Sequence, residues 1–233
     1  MTTKKKPLRV DIVTIFPEMC QPYLDASILG RGQTAGALDL HTLQLRDFAL
    51  DKHRHVDDKP FGGGPGMVMK VEPFHGALMS LKLRDKKGKK TAMAKKARVI
   101  LTSAKGKLFT QADAKRLAKY DRLVFLCGRY EGVDERVASK LADEELSIGP
   151  YVLTGGELAA LVMTDAVARL RPGVLGAAES LEMESWNNGS TKEYPQYTRP
   201  DAYLGWKVPD VLLEGNHKKI EEWRKSMSSS SEM

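Results

Sequence analysis

Apolar residues in this chain alternate between short β-branched runs and helical stripes. Residues 9–16 (RVDIVTIF) form such a run, stopped by Pro17, which predicts the first buried strand of a parallel sheet. Residues 18–30 then read as one helix closed by Gly30, and 38–45 as a strand leading into a polar stretch, 46–60. Helical periodicity returns between 72 and 83, with Phe74, Ala77, Leu78 and Leu81 on one face. Residues 99–102 are strand-like. Thr110, with Asp113 three positions on, opens a predicted helix over 110–120 in the manner of a capping box. Residues 122–127 (RLVFLC) read as a second buried strand, and 157–170 as a helix with Leu158, Leu161, Val162 and Ala166 on one face. Strand and helix in alternation predict an α/β domain, a parallel sheet covered by helices.

From 172 to 197 the pattern gives way to Gly, Ala, Ser, Asn and Glu, the composition of an interdomain linker. The expected organisation is an α/β domain over 1–175, a linker over 176–190, and a small, mainly helical domain over 191–233. Its last helix is expected over 216–225, followed by a disordered tail, MSSSSEM. Between 82 and 98 nine basic residues face one acid, Asp85. With no apolar pattern, this run reads as a mobile solvated loop or as a contact for RNA phosphates.

A hydrophobic fraction of 42% in 233 residues allows one substantial core. No apolar run approaches the roughly 18 residues that span a bilayer, and MTTKKK is not followed by a signal-type apolar region, so a cytoplasmic protein with no membrane contact is expected. Two distant cysteines, Cys20 and Cys127, argue against a disulfide framework or a zinc site, and Cys127 reads as a small core residue. The net charge of +7 favours a polyanionic partner.

Candidate chemistry gathers at glycines. Strand 122–127 ends at Gly128, a second turn falls at Gly155-Gly156, and a triple glycine occupies 62–64. Glycine is required where φ is positive or where a ligand approaches the backbone, and both needs arise at the carboxyl ends of strands in an open α/β sheet. Neither GxGxxG nor GxxxxGK[ST] is present, so no dinucleotide or nucleoside triphosphate is indicated. The residues alone therefore specify a ligand site at strand ends, or ordinary strand-ending turns.

The wording of these turns narrows the choice. RHVDDKPFGGGPGM (54–67), LCGRYEGVDERV (126–137), SIGPYVLTGGELA (147–159), RPGVLG (171–176) and the segment from YTRP (197–200) to EEWR (221–224) resemble, in order and spacing, the bacterial tRNA (guanine-37, N1) methyltransferases of the SPOUT class. The resemblance implies a parallel sheet with a deep trefoil knot, and S-adenosylmethionine bound among three loops, 102–106, 128–132 and 147–156. Its implied contacts are Ser103, Gly128, Tyr130, Glu131, Gly132, Ser147, Ile148, Gly149, Pro150, Tyr151, Val152, Leu153, Gly155 and Gly156, with main-chain groups of Ile148, Tyr151 and Leu153 at the adenine edge. The implied partners are tRNA and a second copy of the chain, in a homodimer whose active site lies at the interface. His53, Arg54, Asp57, Gly63 and Ser180 are the implied tRNA contacts; read alone, the stretch around 46–58 is a polar loop. Magnesium dependence is a family expectation that no metal-ligand constellation in the sequence supports.

Methylation of guanine N1 requires a general base to remove its proton and a cation near O6, where negative charge develops. The resemblance puts the cation at Arg169; read locally, Arg169 forms a helical pair with Asp165. The base falls on Glu184, in MESW, where the family has Asp. The extra methylene moves the carboxylate oxygens by about 1.5 Å, so either the backbone compensates, the enzyme is slow, or Glu182 serves instead. Ala104 and Pro150 also depart from the family pattern, in donor-site loops. The alternatives are an RNA methyltransferase acting on another nucleotide and a basic RNA-binding protein without catalysis.

Overall fold

A computed structural model describes residues 6–175, 185–186 and 191–230. The chain forms two compact units, Met1–Gly176 and Ala177–Met233. In the first, strand β1 (Leu8–Thr14) is followed by helices α1 (Pro17–Leu24) and α2 (Ser27–Thr34) and by β2 (Leu38–Gln44). The expected single helix over 18–30 is thus two. Ala26 is extended, Ser27 has φ +49°, and Gly30 lies inside α2, where a Cβ would strike the Asp25 carbonyl. Gly30 permits the close approach of α2 to the end of α1 instead of ending a helix.

The polar stretch after β2 holds a 3-10 turn (Leu45–Phe48) and a short antiparallel ladder of β3 (Asp57–Asp58) with β4 (Val68–Met69). Then come α3 (Val71–Ser80), β5 (Ala97–Leu108), α4 (Gln111–Leu117), β6 (Arg122–Cys127), a π-helical turn (Val137–Leu141), β7 (Glu144–Ser147) and α5 (Glu157–Ala168). The central sheet runs β2-β1-β6-β5-β7, all parallel. Strand β5 is much longer than 99–102 because its register against β7 breaks between Thr102 and Lys107 and resumes beyond. Strand β7 has no counterpart in the apolar pattern, since it opens with two glutamates at the sheet edge.

Alternation along β6 shows how the sheet is buried on both sides. Leu123, Phe125 and Cys127 pack into one core with α1, α2, α4 and α5, whereas Val124 and Leu126 pack into the other with α3 and the π-helical turn. Thr110 and Asp113 form the expected capping box on α4. The face expected to be buried on α5 is borne out only in part: Leu161 and Ala166 pack into the core, but Leu158 and Val162 are 55% and 49% exposed, and Ala159, Ala160, Met163, Thr164, Val167 and Ala168 are inside with Leu161. This helix is apolar nearly all round, so small residues that permit close packing, and not an apolar stripe, select its inner face.

The basic stretch 82–98 is in part a built structure, not only a solvated loop. Leu83, Arg84, Ala94 and Ala97 are buried, and Ala92–Lys96 forms a 3-10 turn. Arg84 bonds Asp143 at 3.0 Å and the Leu141 carbonyl, while Lys90 reaches Asp143 at 2.6 Å. Asp143 also accepts the Val99 N–H at 2.9 Å, so one carboxylate pins this stretch to β5 and to the approach of β7.

In the second unit, β8 (Thr191–Lys192) pairs with β11 (Ser229–Ser230), and β9 (Ala202–Tyr203) with β10 (Trp206–Lys207). Helix α6 (His217–Met227) starts at its Asn216 N-cap, and Trp223 sits between Tyr194 and Tyr197, with ring centroids 6.4 and 6.3 Å away. The tail expected to be disordered is therefore paired at Ser229–Ser230; residues 231–233 lie outside the described ones.

Burial works against the charge on Asp143, but the bonds from Lys90 and Val99 and the charge of Arg84 outweigh it and hold the carboxyl below its ordinary value. A depressed carboxyl pKa gives stability that is present above the unfolded value, near 4, and is lost as pH falls through the folded value. Asp143→Ala, which strands the 1%-exposed Arg84 side chain, is expected to cost about 3 kcal/mol at neutral pH. It should also flatten the fall in stability below pH 4; urea unfolding across pH measures both.

Candidate functional site

The carboxyl ends of β5, β6 and β7 enclose a cleft of about 420 Å³, within the range of small-ligand pockets. Its walls come from residues 101–105, 128–133, 145–149 and 151–156, together with Glu135, Ala138 and Ala159. Every donor-loop candidate named from the sequence lines it except Pro150, which is exposed.

Local chemistry shapes each wall. On β5, Gly106 lies so close to β7 that a Cβ would come within 2.7 Å of Glu145 and Leu146 backbone atoms, and residues 103–106 project where the register breaks. After β6, Tyr130 and Gly132 have φ of +60° and +134°, and no atom lies within 4 Å of where a Gly132 Cβ would stand. After β7, the Ser147 hydroxyl donates to the Gly149 carbonyl at 2.9 Å and accepts from the Gly149 N–H at 3.2 Å, closing a turn. The Tyr151 ring folds back against Gly149, its hydroxyl 3.2 Å from the Ile148 carbonyl.

A buried carboxylate holds the walls together. Glu157, 1% exposed in the first turn of α5, accepts the Thr14 hydroxyl at 2.6 Å and the Arg129 Nε at 3.1 Å. Arg129 also donates to the Thr154 carbonyl at 3.3 Å, and its guanidinium lies 4.8 Å from the centre of the Phe16 ring. The Gly156 N–H bonds the Gly128 carbonyl at 2.9 Å, and a Cβ on Gly156 would collide with the Thr102 hydroxyl. Sequence reading missed Thr14, Arg129 and Glu157, because their partners lie 28 and 143 positions apart. The one available signal was an Arg and a Glu directly flanking the two glycine turns.

The glycine-rich segment reaches the same wall. The Glu131 N–H bonds the Met67 carbonyl at 3.0 Å, the Met69 N–H bonds the Gly132 carbonyl at 2.9 Å, and a Cβ on Gly66 would overlap the Glu131 side chain. Gly62, Gly63 and Gly64 all have positive φ and open space around them. Asp57 sits in β3, paired with Met69. His53 and Arg54 are exposed and tied to their own loop, His53 through its N–H to Asp51 at 2.9 Å and Arg54 to Asp47 at 3.2 Å. Arg169 is half-buried at the C-cap of α5, and Asp165 accepts the Tyr23 hydroxyl at 2.5 Å. Ser180, Glu182 and Glu184 lie outside the described residues.

Burial pushes the Cys20 thiol up to about 11 and the Cys127 thiol well above its ordinary value, with the charge of Glu157 adding to both. Both remain protonated thiols of the core. Among the described residues no group of three or more His, Cys, Asp or Glu could hold a metal ion, and no helix is long and apolar enough to cross a membrane.

Fold and cleft together define an α/β protein with a parallel five-stranded sheet and a cleft at the carboxyl ends of three neighbouring strands. The profile of the family described as tRNA (Guanine-1)-methyltransferase TrmD matches residues 8–232. The chain belongs to this family. It is similar to proteins named tRNA (guanine-N(1)-)-methyltransferase from Dictyoglomus turgidum, 53% identical over 94% of this chain and 84% of the relative, and Magnetococcus marinus, 50% identical over 94% and 83%. The protein of that name from Carboxydothermus hydrogenoformans is 48% identical over 95% and 83%.

Glu157→Ala is expected to lower stability by about 3–5 kcal/mol, because the nearly buried Arg129 loses its counter-charge. Gly156→Ala, which must displace Thr102 or the Cys127 backbone, should cost about 1–3 kcal/mol. Denaturant midpoints of the two variants test both values.

Proposed function

We propose that this protein transfers a methyl group from S-adenosylmethionine to N1 of guanine 37 in tRNA, beside the anticodon. The observation that carries the reading is the cleft formed by the three glycine-bearing loops, in a chain of the TrmD family. The residues present suit the donor: open space at Gly132 leaves room beside the backbone, and the apolar and main-chain surface of 148–153 suits a flat base. Ile148, Tyr151 and Leu153 would hold the adenine edge through main-chain groups, and the remaining donor-loop candidates would enclose the nucleoside. When bound, the donor supplies an electrophilic methyl on its sulfonium.

The chain's own part is to prepare guanine. In this reading Glu184 takes the N1 proton, freeing the lone pair, and Arg169 balances the charge that develops on O6. His53, Arg54, Asp57, Gly63 and Ser180 position the tRNA, and the open glycines at 62–64 let a nucleotide approach the backbone.

A second copy of the chain completes the site in this proposal. Met19 and Tyr23 of α1 and Leu158 and Val162 of α5 are 47%, 48%, 55% and 49% exposed on neighbouring helices linked by the Tyr23–Asp165 bond. An apolar face of this kind suits burial against another protomer. The deep trefoil knot of the SPOUT class and a cytoplasmic location, where unmodified tRNA is met, belong to the same reading, as does the tRNA-gripping role of the second unit. Magnesium has no preformed cluster of ligands among the described residues.

Single-turnover methylation of unmodified tRNA bearing G36 and G37, with labelled donor, tests the proposal. Label is expected at N1 of G37. Arg169→Ala should lower the rate by about 100- to 1000-fold while leaving S-adenosylhomocysteine binding intact, and Glu184→Gln should abolish transfer across pH. Label on another nucleotide, or none despite donor binding, would contradict the assignment; activity lost in Glu182→Gln but kept in Glu184→Gln would move the base to Glu182.

A further inference from the structure

One titratable group in the cleft is used neither by the clamp nor by the proposed chemistry. Glu145 lies in β7, on the opposite side of the strand from the core residue Leu146 and two positions before the Ser147 turn. It lines the cleft, yet its Oε1 is sealed from solvent with no hydrogen-bond partner among the described residues. A buried carboxylate oxygen is rarely left so, because losing water without gaining a donor is unfavourable. The neighbouring carboxylates are differently placed: Glu135 bonds Lys105 at 2.7 Å, and Glu131 packs against the Gly66 backbone.

We propose that Glu145 is a positioning residue for the methyl donor, its carboxylate accepting hydrogen bonds from the vicinal ribose hydroxyls of the adenosine. The inference rests on the donor-cleft reading above. An ionised carboxylate offers acceptors only, and rotation about the last side-chain bond decides which oxygen is sealed and which meets the cleft. Counter-charge is already at hand, since the Lys105 ammonium feels Glu145 as well as Glu135. The part of the carboxylate that meets the cleft can take a donor, and one or both of two adjacent O–H groups would supply it. The same pairing of an acidic residue with ribose recurs in nucleotide-binding α/β folds. Set two residues before the loop that would hold adenine, Glu145 is placed for the next part of the nucleoside.

Calorimetric titration of S-adenosylhomocysteine and its 2′-deoxy and 3′-deoxy forms into the full-length wild-type protein and Glu145→Gln tests this. Wild type is expected to lose affinity on the order of 10-fold for at least one deoxy form. The variant should lose a similar factor for the parent ligand and show no further loss with that deoxy form, a coupling that a merely structural role would not produce. Wild type that binds both deoxy forms as tightly as the parent overturns the assignment, whether or not the variant folds; so do losses that simply multiply. A loss in the variant confined to S-adenosylmethionine would give Glu145 to the sulfonium charge and overturn the ribose contact. Failure of wild type to bind any of these ligands would overturn the donor-cleft reading and this inference with it, whereas normal binding by Glu145→Gln overturns the inference alone.

Discussion

A carboxylate removed from water must be matched in charge and in hydrogen bonds, and Glu157 meets that demand in a way that organises the whole site. Thr14 from the end of β1 and Arg129 from the loop after β6 both converge on it, while its own backbone begins α5, whose N-terminal dipole favours an acidic residue. Arg129 carries the constraint onward to Thr154, in the loop after β7. Three segments far apart in sequence thereby become one wall. The contacts need Gly155 and Gly156, since side chains at either position would occupy the space of Arg129, Glu157 or Thr102.

That arrangement explains which parts of the molecule were legible in the sequence. Strands such as 122–127, buried on both faces, announce themselves as continuous apolar runs, and Thr110 with Asp113 announces a helix start through local hydrogen bonds. The glycine turns marked the cleft because the chain there passes too close to Val133, Arg129, Glu157 and Thr102 for a side chain, at Gly128, Gly155 and Gly156. What could not be read depends on partners distant in sequence. Glu144 and Glu145 look like surface residues until β5 pairs beside them; Arg84 looks like one more loop cation until Asp143 is seen against it. Leu158 and Val162 looked like core because α5 is apolar on nearly every side, and only the packed structure shows which side the sheet takes.

Charge is used differently in different places. Arg84, Arg129 and Asp143 are nearly inside, held by specific partners, and hold loops in position. The lysines around 86–96 are mostly exposed on a stretch whose anchor residues are buried, an arrangement suited to meeting phosphates without itself being disordered. The glycine-rich segment joins the two themes, open to solvent at Gly62–Gly64 and stitched to the cleft wall through Met67 and Met69. A substrate held there would lie beside the loop that carries Tyr130 and Glu131.

On this view the Glu157–Arg129–Thr14 contacts hold the loops of the cleft in place before any ligand arrives. Amide hydrogen exchange in ligand-free wild type and Glu157→Gln tests it most directly. Faster exchange is expected in the variant at Gly156, whose N–H bonds Gly128, and through 147–156, with the core of β1 and β6 unchanged. Unchanged exchange in those loops would contradict it, and would mean that the cleft is shaped by the sheet and its glycines alone.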